Sequence, residues 1–359
     1  MRPSISPEHP RPQLQRAEWT ALDGVWEFAF DREGTMSRPE QVEFDRAILV
    51  PFAPETPRSG IGDESYTMAV WYRRRFAVPA FQPVSGDRLL LHFGAVDHEA
   101  TVWVDGGRAG HHEGGYTPFS IDVTDLLRGD GDHEVIVRAG DDPHDLGKPR
   151  GKQDWLREPH AIWYPRTTGI WQTVWLERVP ECRIDLLRWT PNLERWEIGV
   201  EARIAGPRRD DLTLELTLSV GDGPHRRMLA HDRYLMVSGE ANRRIALLDP
   251  GIDDARHDLL WSPDTPTLID VHARLLDPNG AVVDEVASYT AMRSVRVDGG
   301  RFLLNGRPLY LRMALDQGYW PGGGLTAPSV DALRRDVELA KAMGLNGVRK
   351  HQRPMAGNM

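Results

Sequence analysis

From Trp19 to Glu177 the chain is built of short runs in which apolar and polar residues alternate. Gly24–Phe30, Ala69–Val78, Arg88–Phe93, Ala100–Val104, Pro118–Val123, Glu134–Arg138 and Trp171–Glu177 each read as a strand. A period of two puts one set of side chains on a core and the other in water. Pro79 closes the second run, and Asp105-Gly106 is a hairpin signal between apolar runs. Many short strands without a long helical pattern predict a β-sandwich of jelly-roll type over residues 17–180. Residues 1–16, Pro-rich and polar, are expected to form a loose N-terminal arm.

A second β domain is predicted over 181–297. Leu212–Val220 alternates without a fault, Asp277–Gly280 is a turn, and Trp261–Pro266 leads into a strand at Leu268–Leu275. About a hundred residues of such strands suit an immunoglobulin-like sandwich.

The pattern changes after residue 298. Asn305-Gly306 marks a hairpin, and Leu309–Leu315 is short and apolar enough for a buried strand. Leu333, Val337, Ala340 and Met343 then fall on one helical stripe, with Thr326 or Ser329 as cap, Pro328 in the first turn and Gly344 at the end. Leu345–Val348 is a second short strand, so the segment reads as one βαβ unit. A closed (β/α)₈ barrel takes roughly 250 residues. Residues 298–359 are therefore expected to be the start of a TIM-barrel catalytic domain, truncated and poorly ordered beyond about residue 300, with no pattern at all over Arg353–Met359.

Composition narrows the function. A net charge of −9 supplies no basic field for nucleic acid. The single cysteine, Cys182, excludes a disulfide framework and a multi-cysteine metal site. The N-terminal residues hold no apolar signal region, and no apolar run reaches membrane-spanning length, so a cytoplasmic chain without membrane contact is expected. Nothing in the sequence bears on oligomeric state. Nucleophile-elbow, P-loop, dinucleotide and His-Glu-x-x-His motifs are missing, and no cofactor is expected. Twelve tryptophans suit a protein that stacks sugar rings on indoles, and equally a sandwich with an aromatic core.

Two polar clusters stand out. Asp97, His98 and Glu99 with His111, His112 and Glu113 hold ligand-type side chains, but neighbours on a strand face opposite ways, so surface positions rather than a metal are expected. Between Lys148 and Trp175 lie Arg150, Lys152, Gln153, Asp154, Trp155, His160, Trp163, Tyr164, Arg166 and Trp171, in an irregular loop too polar for a core. Substrate contact and loop packing are both open for it.

Phe302, Asn305, Gly306, Arg307, Pro308, Arg312, Lys341, Gly344, Asn346 and Arg349 resemble the opening of the catalytic barrel in glycoside hydrolase family 2, which holds β-galactosidases, β-glucuronidases and β-mannosidases. Leu22–Phe28, Val50–Arg74, Gly94–Leu127 and Thr167–Glu177 resemble its sugar-binding domain, with Gly169-Ile170 as a fixed point. Trp261–Leu268 and the spacing of Asp284, Ser288, Tyr289 and Arg293 resemble its second domain, a spacer. Met313 departs from a family glycine, and Asp316-Gln317 from a His-containing loop. Trp163 stands six positions before Gly169, where many members carry an acid, which leaves Asp154 as a substitute candidate only.

The resemblance implies retaining hydrolysis of β-glycosides by two glutamates on later barrel strands, beyond residue 359. It also implies a loop at 148–175 that reaches the sugar. On this reading the chain holds no catalytic residue and is inactive alone. Its substrate contacts would come from Arg349, Asp316, Gln317, Trp320, His351, Asp154, Trp155 and Trp163. Asp331, Asp336 and Glu338 do not match the catalytic acids, and Arg349 has a structural salt bridge as its alternative. The competing reading is a stand-alone, non-catalytic carbohydrate-binding β-sandwich protein. A lone βαβ unit has no use there.

Overall fold

The computed structural model of the chain describes residues 9–78, 86–128, 131–247 and 258–352. Residues 1–8 of the expected arm, Pro79 and the tail at 353–359 lie outside them. The described residues form two compact units: one of 18–178, 315–339 and 348–352, the other of 9–17, 179–314 and 340–347. Strands dominate both, and among the described residues no helix is long and apolar enough to cross a membrane.

In the first unit the alternating runs become two sheets. Six strands are ordered Arg46–Val50, Gly24–Asp31, Ala69–Ala77, Asp132–Gly140, Glu99–Val104 and Gly107–Glu113. Four more are ordered Trp19–Ala21, Val174–Pro180, Asp87–Phe93 and Phe119–Asp122. The inward-facing positions of both sheets meet in one core of Trp26, Phe28, Tyr72, Leu91, Phe93, Val102 and Val137, all fully or almost fully covered. The hairpin at Asp105-Gly106 forms, with both residues at positive φ. Trp171, expected in a strand, lies instead in the loop before Val174 and packs with Ala95, Tyr116 and Leu325.

The second unit is a sandwich of a three-stranded and a four-stranded sheet. Arg183–Asn192, Glu197–Ala205 and Glu240–Ala246 face Arg227–Leu235, Thr213–Val220, Ile269–Leu276 and Val282–Thr290 across a core that includes Ile198, Leu214, Leu216, Val271 and Val286. The arm is not loose where it is described. Leu14 enters this core, Gln15 exchanges two backbone hydrogen bonds of 2.9 Å with Ala287, and Arg16 is buried against Asp284. One apolar side chain and a paired backbone outweigh the disorder that Pro-rich composition suggests.

After the hairpin of Arg301–Leu304 and Arg307–Pro308, Met313–Asp316 and Gly347–Lys350 pair in a two-stranded sheet, separated in sequence by a helix at Val330–Ala342. Ser329 Oγ accepts from the Ala332 N–H as its cap, and Gly344 closes the helix at φ 77°. The expected buried strand at Leu309–Leu315 is a correction. Leu311, Met313 and Leu315 stay 40–54% exposed, and the stripe of Leu333, Val337 and Met343 is exposed too. The periodicity sets the elements here, but no neighbouring layer covers them among the described residues.

Candidate functional site

The loop from Asp141 to Trp171 in the first unit is built on buried charge. Asp141 sits between Lys148 and Arg166: its carboxylate accepts from Lys148 Nζ, from Arg166 Nη2 at 2.6 Å and from Thr168 Oγ1 at 3.1 Å. Asp97 accepts from Gln153 Nε2 at 2.6 Å, and the same amide donates to Tyr116 Oη at 3.1 Å. Gln153 Oε1 accepts from the Thr167 N–H at 2.7 Å, and the Tyr116 hydroxyl donates to the Arg150 carbonyl at 2.8 Å. Glu55 takes the Thr168 N–H at 3.2 Å. Both ends of the loop are thus fastened to one polar core.

These bonds overturn two expectations. Asp97 and His98 are buried rather than at the surface. Asp97 fits because Gly115 leaves its space open; a Cβ there would stand 2.2 Å from Asp97 Oδ1. The loop is not too polar for a core either, since Lys152, Gln153, Asp154, Thr167 and Thr168 are all buried. Gln153, Asp154, Thr167 and Thr168 have hydrogen bonds that replace water, and the Lys152 ammonium lies over the Trp163 ring.

The electrostatics follow from burial. Burial and the Asp141 charge push the Asp97 carboxyl up to about 8, against the Gln153 hydrogen bond. Burial likewise pushes Glu55 up to about 7. Asp141 is also penalised by burial, but Arg166 and Lys148 outweigh this and hold it below the usual range. Carboxyl groups with such separated affinities are the mark of an acid/base pair. Here the cavity that Asp97 and Asp141 line, with Asp142, Lys148 and Arg166, is about 20 Å³, and Glu55 is buried outside it. That is room for about one water, so no pyranose reaches these acids and their role is to hold the loop.

The aromatic residues sit above. Trp155 is 39% exposed and Trp163 half-buried, with ring centroids 5.3 Å apart, and Lys152 Nζ lies 4.8 Å from the Trp163 ring centre. Asp154 departs from its candidate role. Its side chain is fully covered, Oδ1 accepts from the Leu156 N–H at 3.0 Å, and Oδ2 accepts from the His160 N–H at 2.7 Å and contacts His160 Nδ1 at 2.8 Å. Burial raises its affinity for a proton, but these bonds outweigh it and keep the carboxylate ionised. It shapes the loop and offers no free oxygen to a sugar.

Two contacts join this loop to the strand ends. Tyr164 stacks on Tyr319 with centroids 3.8 Å apart and planes within 7°. Gly151 lies so close to residue 352 that a Cβ would stand 2.4 Å from the Gln352 carbonyl oxygen. Tyr164 belongs to the loop cluster, but its pairing with Tyr319 was not expected; two aromatics 155 positions apart in sequence carry no local signal. Asp316 Oδ1 accepts from the Gly318 N–H at 2.7 Å, Oδ2 pairs with Lys350 Nζ, and the Asp316 carbonyl accepts from the His351 N–H at 3.0 Å. Gln317 is half-buried, and its Oε1 has no hydrogen-bond partner among the described residues. Trp320 is held in a turn by its bonds with Gly324. Arg349 is exposed and makes no ion pair among the described residues. Asp316 and His351 therefore meet at one end of the paired strands, Gln317 follows Asp316 in the chain, and Trp320 lies in the turn beyond.

Two family profiles match this architecture. Residues 51–141 match the sugar binding domain of glycosyl hydrolases family 2, and residues 182–293 match glycosyl hydrolases family 2. The chain belongs to glycosyl hydrolase family 2. A beta-galactosidase of Thermoanaerobacter pseudethanolicus is 28% identical over 93% of the chain and 42% of its own length. A beta-glucuronidase of Paenibacillus borealis is 25% identical over 84% of the chain and 50% of its own length. Among solved structures, a Bifidobacterium dentium beta-glucuronidase complexed with coumarin-3-O-glucuronide superposes with a TM-score of 0.74 at 22% identity, over 96% of the chain and 59% of that protein. The chain thus spans about half the length of the curated relatives it matches. Glu55, Asp97, Tyr116 and Asp141 of the buried cluster lie within the sugar-binding match, and Lys148, Gln153, Arg166 and Thr168 lie beyond it.

The cluster has a pH signature. Glu55 and Asp97 bind a proton more tightly folded than unfolded, so stability falls as pH rises from the ordinary carboxylate range, about 4, through about 7 and 8. Above that it levels off. The melting temperature of the first unit, assigned by hydrogen exchange, is expected to drop between pH 5 and 8. Asp97→Asn, which keeps a neutral partner for Gln153, should remove much of that slope. An unchanged slope in the variant would take Asp97 out of the linkage.

Proposed function

We propose that the chain carries the sugar-binding and immunoglobulin-like domains of a retaining β-glycosidase together with the opening βαβ unit of its (β/α)₈ barrel. The domains would run 17–180, 181–297 and from 298 onward. The observation that carries this reading is the contact of the aromatic loop with the strand ends, through Tyr164–Tyr319 and Gly151–Gln352. On this reading Trp155 and Trp163, in the same loop as Tyr164, would share a sugar site with Asp316, Gln317, Trp320, His351 and Arg349. Such an arrangement suits a pyranose, with indole faces for its C–H face and polar groups for its hydroxyls. The relatives named beta-galactosidase and beta-glucuronidase support β-linked glycosides as the substrate class.

Hydrolysis needs more than this. A retaining mechanism requires two carboxyl groups about 5 Å apart, one to protonate the leaving oxygen and one to attack the sugar. At the strand ends Asp316 is engaged by Lys350 and Gly318, and the buried acids are closed to substrate. General acid–base help is worth roughly 10²–10⁴ in rate, and binding groups such as Arg349 do not replace it. Purified 1–359 is expected to leave aryl β-galactosides, β-glucuronides and β-mannosides intact while binding a glycan weakly. Trp155→Ala and Trp163→Ala should abolish that binding on a glycan array. Turnover that co-purifies with the chain and disappears in Asp316→Asn or Arg349→Ala would show a working site within 1–359 and end this reading. Binding unchanged in both tryptophan variants would remove the loop from the site.

A further inference from the structure

The outer face of the six-stranded sheet holds a second groove that shares no residue with the loop site. In the strand Glu99–Val104, Ala100, Val102 and Val104 point into the core, so Thr101 and Trp103 point out. The register sets Arg108 directly across from Trp103, and Arg138 across from Thr101. The turn at Pro39–Gln41 forms the far wall with Arg38 and Glu40, held there by the Arg138 Nε bond to the Met36 carbonyl at 3.1 Å. Arg38, Glu40, Thr101, Trp103, Arg108 and Arg138 line a groove of about 540 Å³, within the range of small-ligand sites.

Two features say what the groove takes. Trp103 lies on the fully buried Trp71, centroids 5.4 Å apart and planes 23° apart, which fixes the plane of the half-buried indole. A fixed aromatic plane binds a flat apolar face at little entropic cost. Second, none of Arg38, Arg108 and Arg138 makes an ion pair with a carboxylate among the described residues, whereas Arg73, Arg88 and Arg178 on the same unit are each paired. Glu99 Oε1 lies 3.7 Å from His111, and its Oε2 and Arg138 Nη1 both approach Gly140, within 3.5 Å of where a Cβ would stand. The groove lining holds three arginines and one carboxylate, Glu40, in a chain of net charge −9. Guanidinium forks match carboxylates in a bidentate way, and Glu40, Ser37 and Thr101 suit hydroxyl groups.

We infer that this groove is a binding site for an acidic oligosaccharide, with a pyranose on Trp103 and uronate carboxylates on Arg38, Arg108 and Arg138. The test is calorimetric titration of the full chain with a short oligogalacturonide and with a neutral gluco-oligosaccharide of equal length. The acidic sugar should bind at least about tenfold more tightly, since charge-assisted hydrogen bonds separate the two. Arg38→Gln with Arg108→Gln, both exposed and free of folding partners, should lose about tenfold or more of that affinity. Trp155→Ala and Trp163→Ala should leave it unchanged, so failure here and failure of the loop site are read separately. Equal affinity for the two sugars, or full binding in the arginine double variant, would overturn the assignment. A polyglutamate peptide binding as tightly as the sugar would assign the groove to acidic peptides instead.

Discussion

Arg16→Ala should cost the second unit about 3–5 kcal/mol of stability, the loss expected when a buried ion pair is left with one member. The guanidinium donates from Nε to Asp284 Oδ1 at 3.0 Å and from Nη2 to Oδ2 at 2.8 Å, and Nη2 also reaches the Ile184 carbonyl at 2.6 Å. Asp284 in turn accepts the N–H groups of Ile184 at 2.7 Å and Glu285 at 2.9 Å. Both side chains are almost fully covered. Truncating the arginine strands a buried carboxylate whose two remaining N–H bonds do not balance its charge. The double variant Arg16→Met with Asp284→Leu should recover most of the loss, because an apolar pair needs no desolvation. Urea denaturation of the chain and its variants is the measurement. A loss below about 1 kcal/mol for Arg16→Ala would mean that water reaches Asp284.

Arg16 also shows what a sequence withholds. It stands in a stretch of prolines and polar residues, and its partner lies 268 positions away. No local pattern encodes such a pair. The strands, by contrast, were legible because a period of two is local: the runs at 24–30, 69–78 and 134–138 appear within a residue or two of their expected ends. Alternation fails only where burial and polarity part company. Glu215 falls on the expected water face of Leu212–Val220, yet it is covered by Arg233 and Arg274, which it bonds on either side. At the candidate site the aromatic loop was visible by composition. Its foundation was not, because Asp97, Glu55 and Asp141 reach one another only after three separate segments meet, and because space for Asp97 is set by the missing side chain of Gly115. Asp154 misled for a related reason: an acid in a loop reads the same whether it faces a ligand or closes its own turn.

Gly169 was legible as a fixed point, and the structure gives the reason. Gly169→Ala is expected to cost more than about 4 kcal/mol, the range reserved for strain or overpacking in a core. Gly169 sits at φ 80°, a left-handed conformation that a Cβ disfavours by about 1–2 kcal/mol. Worse, the new methyl would stand 2.1 Å from the Tyr72 hydroxyl and 2.9 Å from its Cζ. Tyr72 has nowhere to go. Its ring is fully buried, meeting Phe28 edge-on at 5.2 Å and Trp26 at 6.4 Å, and its hydroxyl accepts the Ile170 N–H at 3.2 Å. Burial, with the nearby Glu55 charge, also keeps that hydroxyl protonated. The strain enters where the loop rejoins the sheet, since Gly169-Ile170 pairs with Asp97-Val96. It should therefore loosen the Asp97–Gln153 fastening and expose the loop amides to hydrogen exchange before the rest of the unit. Tyr72→Phe removes the atom that clashes hardest but also the Ile170 bond. Gly169→Ala should consequently cost less in the Tyr72→Phe background than in the wild type, a coupling readable by a double-mutant cycle. Strictly additive losses would place the strain in the backbone alone and leave the Tyr72 hydroxyl out of it.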